Sequence, residues 1–541
     1  MKNRSYPLYK VDEVNNLKEL AALIANKHGD NNAFTFERYG ETVSVSYRQF
    51  QRDIDAFGTA LLNSGVEKTK VAVIGENSYE WIVTYFAAVN SGNVIVPLDK
   101  ELPEADIKHL IDDSETEVFV YSDGYSEMAA YLKENAAGIR RFIHMQEVAG
   151  LMEEGTKLIR GGDTRMADYV PDNRAFATLL YTSGTSGVSK GVMLTHYSLA
   201  KNATGACYNI EILGSNVLVL PLHHSFGFTA GVCSKALWGS EICINDNLKN
   251  VLSDIQKYKP ANILLVPLFL EKFHQRIWSS AKKQGKDGLL RTLIKVSNGL
   301  LRVGIDLRRV LFKSVLSAFG GNLKLIISGG APIDTKYTQG LRDFGIQVLN
   351  GYGITECSPI VAVNRNGHFN DKSVGPVLPC CQVKISKPDE NGHGEILVKG
   401  DIVMLGYYNN EQATKEAFDG EWFKTGDIGY FGPDGFLYIS GRLKNLIVLS
   451  NGKNVYPEEV EFELIRQIPY IQEAVVSDED GEIAAEVFLN TEDYPDCASN
   501  LDKDIQEFNK NMPLFKNVGR TKIRDVEFPK TTTKKIKRTY K

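Results

Sequence analysis

Residues 179–196 read LLYTSGTSGVSKGVMLTH: an apolar, strand-like run, then a loop of glycines and hydroxyls holding a single lysine. Gly184 and Gly187 can adopt φ > 0 and turn successive N–H groups toward one point, a concavity suited to an anion. Thr182, Ser183, Thr185, Ser186 and Ser189 add hydroxyl donors, and Lys190 adds a compact positive charge. Such a set could grip a phosphate, although its composition equally describes a solvated polar connection. The spacing is not that of a Walker A loop, because Lys190 is followed by Gly191 rather than by Ser or Thr.

Other chemistry-bearing stretches follow in order. PLHHSFGF (221–228) sets His223 and His224 beside aromatic and apolar side chains. SGGAP (328–332) is a glycine turn after an apolar run, the place where an α/β sheet commonly binds ligands. NGYGITECSP (350–359) offers Tyr352 as a flat stacking surface between glycines, with Thr355 and Glu356 side by side. KTGDIG puts Asp427 in a turn, and GRLKNLIVLSNGKNVYPEEVE follows it. Each stretch alone has an ordinary structural explanation: a turn aspartate or a packed tyrosine.

The elements that must position these residues alternate. VAVIG (71–75) reads as a buried strand, and Asn77 or Ser78 can cap the helix that follows. NVIVPLD, EADIKHLIDDS and EVFVYSD continue as strand, helix, strand, and VLVLPL, NILLVPL and LKLIISGG repeat the pattern. This rhythm predicts an α/β fold: a large N-terminal domain of mixed, largely parallel sheets flanked by helices. Residues 269–320 are basic and helix-rich, with apolar positions at helical spacing. From about 375 the texture changes to short strands and turns, which predicts a β-rich subdomain. After Arg442, helix PEEVEFELIRQI (with Pro457 in its first turn) and several short elements predict a small α+β domain over 442–541, leaving 1–441 as the large one. The tail KTTTKKIKRTYK carries basic and no acidic residues, which by itself predicts a solvated terminus.

The chain has 541 residues, 43% hydrophobic and 24% charged, with a formal net charge of −5. That balance argues against nucleic-acid binding, which usually needs a basic domain. The N-terminus lacks the apolar core of a signal peptide, and no apolar run reaches the roughly 18 residues that span a bilayer. Seven cysteines without a CxxC pair suggest neither a zinc site nor a disulfide framework, and a reducing cytoplasm is the expected home.

Taken together, YTSGTSGVSKG, GYGITE, KTGD and GRLKNLI in this order resemble the adenylate-forming superfamily of acyl-CoA synthetases, nonribosomal adenylation domains and luciferases. The resemblance runs from VSYRQF to PKTTTKKIKR (529–538). It implies ATP and Mg²⁺, activation of a carboxylic acid to an acyl-adenylate, and transfer to coenzyme A. In that family's terms Thr182, Ser183, Gly184, Thr185, Ser186, Gly187 and Lys190 would cradle phosphates. Gly329, Gly330 and Ala331 would enclose adenine with Asn350, Gly351, Tyr352 and Gly353. Thr355 would contact the α-phosphate, Glu356 would hold Mg²⁺, and Asp427 and Arg442 would bind the ribose. His224 would lie by the acyl pocket, and Lys535 would reach the reacting carboxylate. Lys444 would be the hinge of a mobile small domain, with Gly452 also near the nucleotide.

One position departs from the pattern: Lys534 stands where relatives carry Gly before the terminal lysine, while the register of PKT and KIKR favours Lys535. Residues 269–320 and GYGITECSP are more similar to the branch that activates long-chain fatty acids than to the acetate, aryl or amino-acid branches. Phe228 matches the approximate place of an aromatic gate there, and a core phenylalanine is the alternative. The basic amphipathic helices could rest on a membrane surface. Two further alternatives stay open: an acyl carrier protein in place of coenzyme A as acceptor, and a nucleotide-binding regulator without turnover, against which the intact Glu356, Lys190 and Lys535 speak.

Overall fold

The computed structural model describes residues 6–182, 189–449, 453–530 and 536–538. Ser183, Gly184, Thr185, Ser186, Gly187, Gly452, Lys534 and Lys535 lie outside the described residues. The chain divides into two compact units, one of residues 1–382 and 398–423, the other of 383–397 and 424–541.

Two sheets organise the first unit. In one, Lys70–Ile74, Val94–Pro97, Val118–Tyr121 and Arg141–His144 run parallel, with Phe176–Thr182 parallel to Val94–Pro97. Val71 to Ile74 are all buried, as expected of a parallel strand covered on both faces. At this sheet's edge Phe176–Thr182, Lys190–Thr195 and Gly406–Tyr407 pair antiparallel in turn. In the other sheet Asn216–Leu218, Asn262–Leu265, Leu325–Ser328 and Gln347–Gly353 are parallel neighbours. Side-chain pattern and capping place the helices between strands. Ser78 Oγ accepts from Trp81 N at 3.2 Å and starts the apolar helix Tyr79–Asn90, whose rings pack against Phe228. The run NILLVPLFL splits at Val266 into strand Asn262–Leu265 and helix Pro267–Lys283, because Pro267 fits a helix's first turn and cannot continue a central strand. Residues 267–317 are mostly helical, as their periodicity predicts, and build a hydrophobic core around Phe273, Phe312 and Phe319.

In the second unit, strand Leu437–Arg442 pairs antiparallel with residues 427–431. Helix Pro457–Gln467 covers a sheet of Ile471–Glu479, Glu482–Leu489 and Val518–Arg524, and Val460 and Leu464 are wholly buried in its core. None of the seven cysteines is in a disulfide; all except the half-buried Cys380 are buried. Among the described residues no helix is long and apolar enough to cross a membrane.

Candidate active site

The hydroxyl-rich loop joins two hydrogen-bonded strands. Thr182 and Lys190 are register partners, and Thr182 Oγ1 donates weakly to Lys190 O at 3.5 Å. Lys190 Nζ lies 5.0 Å from the ring centroid of Tyr407, which sits on the next strand with Val192 as its register partner.

The glycine turns meet at the ends of parallel neighbours. Ser328 and Asn350 are partners, so Gly329, Gly330 and Ala331 leave one strand end beside the point where Gly351, Tyr352 and Gly353 continue the next. Gly330 has φ +87°, a conformation L side chains rarely adopt. An ideal Cβ on Gly353 would stand 2.1 Å from Pro359 O, so only glycine lets the strand pass that carbonyl. Asn350 is tied into the loop beyond: Nδ2 donates to Asp371 O at 3.1 Å and its carbonyl accepts from Asn364 N at 2.9 Å. The chain then turns through Thr355–Cys357, placing Thr355 and Glu356 in a half-buried 3-10 turn. Glu356 Oε1 accepts from the Tyr407 hydroxyl at 2.9 Å, and Glu356 O accepts from Met404 N at 2.9 Å. Tyr407 therefore connects the Lys190 strand to the Glu356 turn.

His224 lies in the turn before the π-helix Phe226–Cys233. Asn77 pins this turn, with Nδ2 donating to Leu220 O at 3.1 Å and Oδ1 accepting from Leu222 N at 3.0 Å; Ser78 is the helix cap. The Phe226 ring is 3.2 Å from the position a Gly329 Cβ would take, which brings the histidine segment to the same sheet edge as SGGA. His223 is buried, with Nε2 3.3 Å from Asp99 Oδ1, and burial together with His224 and Lys100 holds its imidazole well below the ordinary range. Phe228 is only 2% exposed and stacks on Tyr85 at 3.6 Å, a core placement.

In the second unit Asp427 and Arg442 are register partners, joined through Arg442 Nε and Asp427 Oδ1 at 2.7 Å. Asp427 is buried, and its N–H donates to Thr425 Oγ1 at 3.0 Å. Lys444 follows in the 3-10 turn Leu443–Asn445, where burial and the charges of Arg442 and Arg538 hold its amine below the ordinary range. The tail is fastened rather than solvated at its described residues. Lys530 pairs with Glu473 and Glu527, Arg538 pairs with Glu461 and Glu458, and Lys537 N donates to Pro529 O at 2.7 Å.

Residues 22–408 match the AMP-binding enzyme family. The chain belongs to that family. Among AMP-binding enzymes it is similar to a long-chain-fatty-acid–CoA ligase, FadD15 of Mycobacterium bovis, with 30% identity over 92% of this chain and 90% of that one. The AMP-binding fold recurs in the anthranilate CoA ligase AuaEII solved with anthranoyl-AMP, at TM-score 0.76, 21% identity and 99% and 97% coverage of the two chains. It recurs also in a fatty acyl CoA synthetase of Mycobacterium tuberculosis, at TM-score 0.66, 22% identity and 96% coverage of both. Sequence reading passed over Tyr407, which contacts both Lys190 and Glu356; the signal was GYY, a glycine before paired aromatics, the first of them on the short edge strand Gly406–Tyr407.

Proposed function

We propose that the protein activates a medium- to long-chain fatty acid with ATP and transfers it to coenzyme A. The observation that carries this reading is the meeting of Lys190 and Glu356 at Tyr407, on strands joined to the hydroxyl-rich loop and to NGYG. The name of the Mycobacterium bovis relative supports the class of acid.

A carboxylate oxygen attacks the α-phosphorus, the bond to pyrophosphate breaks, and an acyl-adenylate remains. Bringing a carboxylate to a polyphosphate opposes like charges, at about 1 kcal/mol per pair at 4 Å in water and more when desolvated. Lys190 offsets that repulsion at the phosphates, and in-line displacement needs positioning more than proton transfer. Glu356 fits Mg²⁺, since a half-buried carboxylate is a hard oxygen donor that the Tyr407 hydroxyl orients. Mg²⁺, when bound, supplies neutralisation of phosphate charge. Gly329, Gly330 and Ala331, with Gly351, Tyr352 and Gly353, offer adenine a flat slot at the strand ends, Asn350 braces that slot, and Thr355 donates to the α-phosphate. Asp427 and Arg442 bind the ribose hydroxyls. By the family resemblance, Thr182, Ser183, Gly184, Thr185, Ser186 and Gly187 would cradle the phosphates, Gly452 would lie near the nucleotide, and His224 would border the acyl chain. In the second step the thiol sulfur attacks the acyl carbonyl, AMP leaves, and the thiol proton passes to solvent.

Acid-dependent exchange of labelled pyrophosphate into ATP, across a panel of carboxylic acids, tests the first step. Long-chain acids should support exchange best, and no exchange with any acid removes the reading. Comparing coenzyme A with a phosphopantetheinylated carrier protein decides the acceptor; coenzyme A is expected to be preferred.

We further place the protein at the inner face of a membrane in the cytoplasm. Helix Asp287–Arg302 and the residues after it expose Leu289, Val296, Val303, Ile305 and Val310 among Arg291, Lys295 and Arg302, a mixture suited to an anionic lipid surface. Salt-sensitive co-sedimentation with anionic vesicles is expected, and its absence rejects this placement.

A further inference from the structure

Tyr407 is held at its hydroxyl by an anion and at its ring face by a cation. Its hydroxyl donates to Glu356 Oε1 at 2.9 Å, and Lys190 Nζ lies 5.0 Å from its ring centroid. Its backbone is fixed as well, since Tyr407 N donates to Thr414 Oγ1 at 2.9 Å and the strand pairs with Lys190–Thr195. Tyr408, in the turn after that strand, is held elsewhere, with its hydroxyl on Glu115 at 2.7 Å and its ring 5.0 Å from Lys70 Nζ.

We infer that Tyr407 is a positioning residue that keeps Glu356 turned toward a metal–nucleotide complex and keeps Lys190 from collapsing onto Glu356 before the nucleotide arrives. The inference rests on the reading of Lys190 and Glu356 given above. Two opposite charges with nothing between them pair and cancel, leaving neither for phosphate or metal. A phenol satisfies both without neutralising either: its O–H donates to the carboxylate, and its negative ring face attracts the ammonium. Among the described residues no ion pair joins Lys190 to Glu356, as this separation requires. Partners that orient a metal-binding carboxylate typically matter by about 10–100-fold in metal affinity or activity.

Tyr407→Phe keeps the ring beside Lys190 and removes the donor, whereas Tyr407→Leu removes both. Mn²⁺ binding, read by electron paramagnetic resonance with a non-hydrolysable ATP analogue present, reports on Glu356 without turnover. The expected result for Tyr407→Phe is Mn²⁺ affinity lower by about 10–100-fold, with metal-free analogue affinity unchanged. Tyr407→Leu should lose analogue affinity also. Unchanged Mn²⁺ affinity in a normally folded Tyr407→Phe protein overturns the inference and leaves the reading of the site standing. Failure of the unsubstituted chain to bind Mn²⁺ with the analogue overturns both.

Discussion

Glu356 combines a backbone role with a side-chain one: its carbonyl accepts from Met404 N while its carboxylate accepts from Tyr407. Glu356→Gln keeps the shape and an acceptor for the phenol but removes the charge. Pyrophosphate exchange should fall by about 10²–10³, the scale of losing one preorganised charge-stabilising group, with the melting temperature unchanged. Activity measured over a range of Mg²⁺ concentrations, beside a thermal melt, checks both parts. Residues of this kind were legible where glycine spacing marked them. Gly353 and Gly330 announce themselves because no other residue tolerates a carbonyl at 2.1 Å or φ +87°. Tyr407 did not, because its partner on the Glu356 turn lies 51 residues away and a tyrosine on an edge strand has many ordinary uses.

At the scale of elements, the alternating strands and helices were readable from hydrophobic runs, and the positions of the glycine turns at strand ends followed from them. Pairing order was not, since parallel neighbours such as Leu325–Ser328 and Gln347–Gly353 are brought together by packing rather than by any local signal. The tail shows the same limit. Its charge predicts solvation, yet Arg538 reaches Glu461, 77 residues earlier, on the inner side of helix Pro457–Gln467. Glu461 also accepts from Val476 N at 2.7 Å. Burial raises the Glu461 carboxyl to about 7, with Glu458 adding to the rise and Arg538 opposing it. The folded chain thus binds this proton more tightly than the unfolded chain, whose ordinary value is 4.5. Its contribution to stability is full below about 4.5 and is lost as pH rises through about 7. Glu461→Gln should remove this slope, so denaturant midpoints measured from pH 4.5 to 7 should vary less in the variant than in the parent.

For the whole molecule, the proposed reaction needs two different environments at one carbonyl carbon, and the family resemblance assigns the change to a small domain turning at Lys444. Lys535→Ala should nearly abolish acyl-adenylate formation while sparing thioester formation from supplied acyl-adenylate. Lys444→Pro should do the reverse, because proline fixes φ and removes the freedom a hinge uses. Single-turnover assays of each half-reaction distinguish the two, and equal loss of both steps in either variant would count against rotation. The change to short strands and turns after about residue 375 was legible from texture, whereas the interleaving of the two units, with 383–397 in the second and 398–423 in the first, carries no local signal. Buried cysteine side chains bear on such assays in a practical way. With Cys380 alone half-buried and the other six sulfurs enclosed, a chromogenic disulfide reagent added to native protein meets little competing sulfhydryl. Disappearance of coenzyme A can therefore be followed colorimetrically against a low protein background, and a sudden rise in that background would signal denaturation during the run.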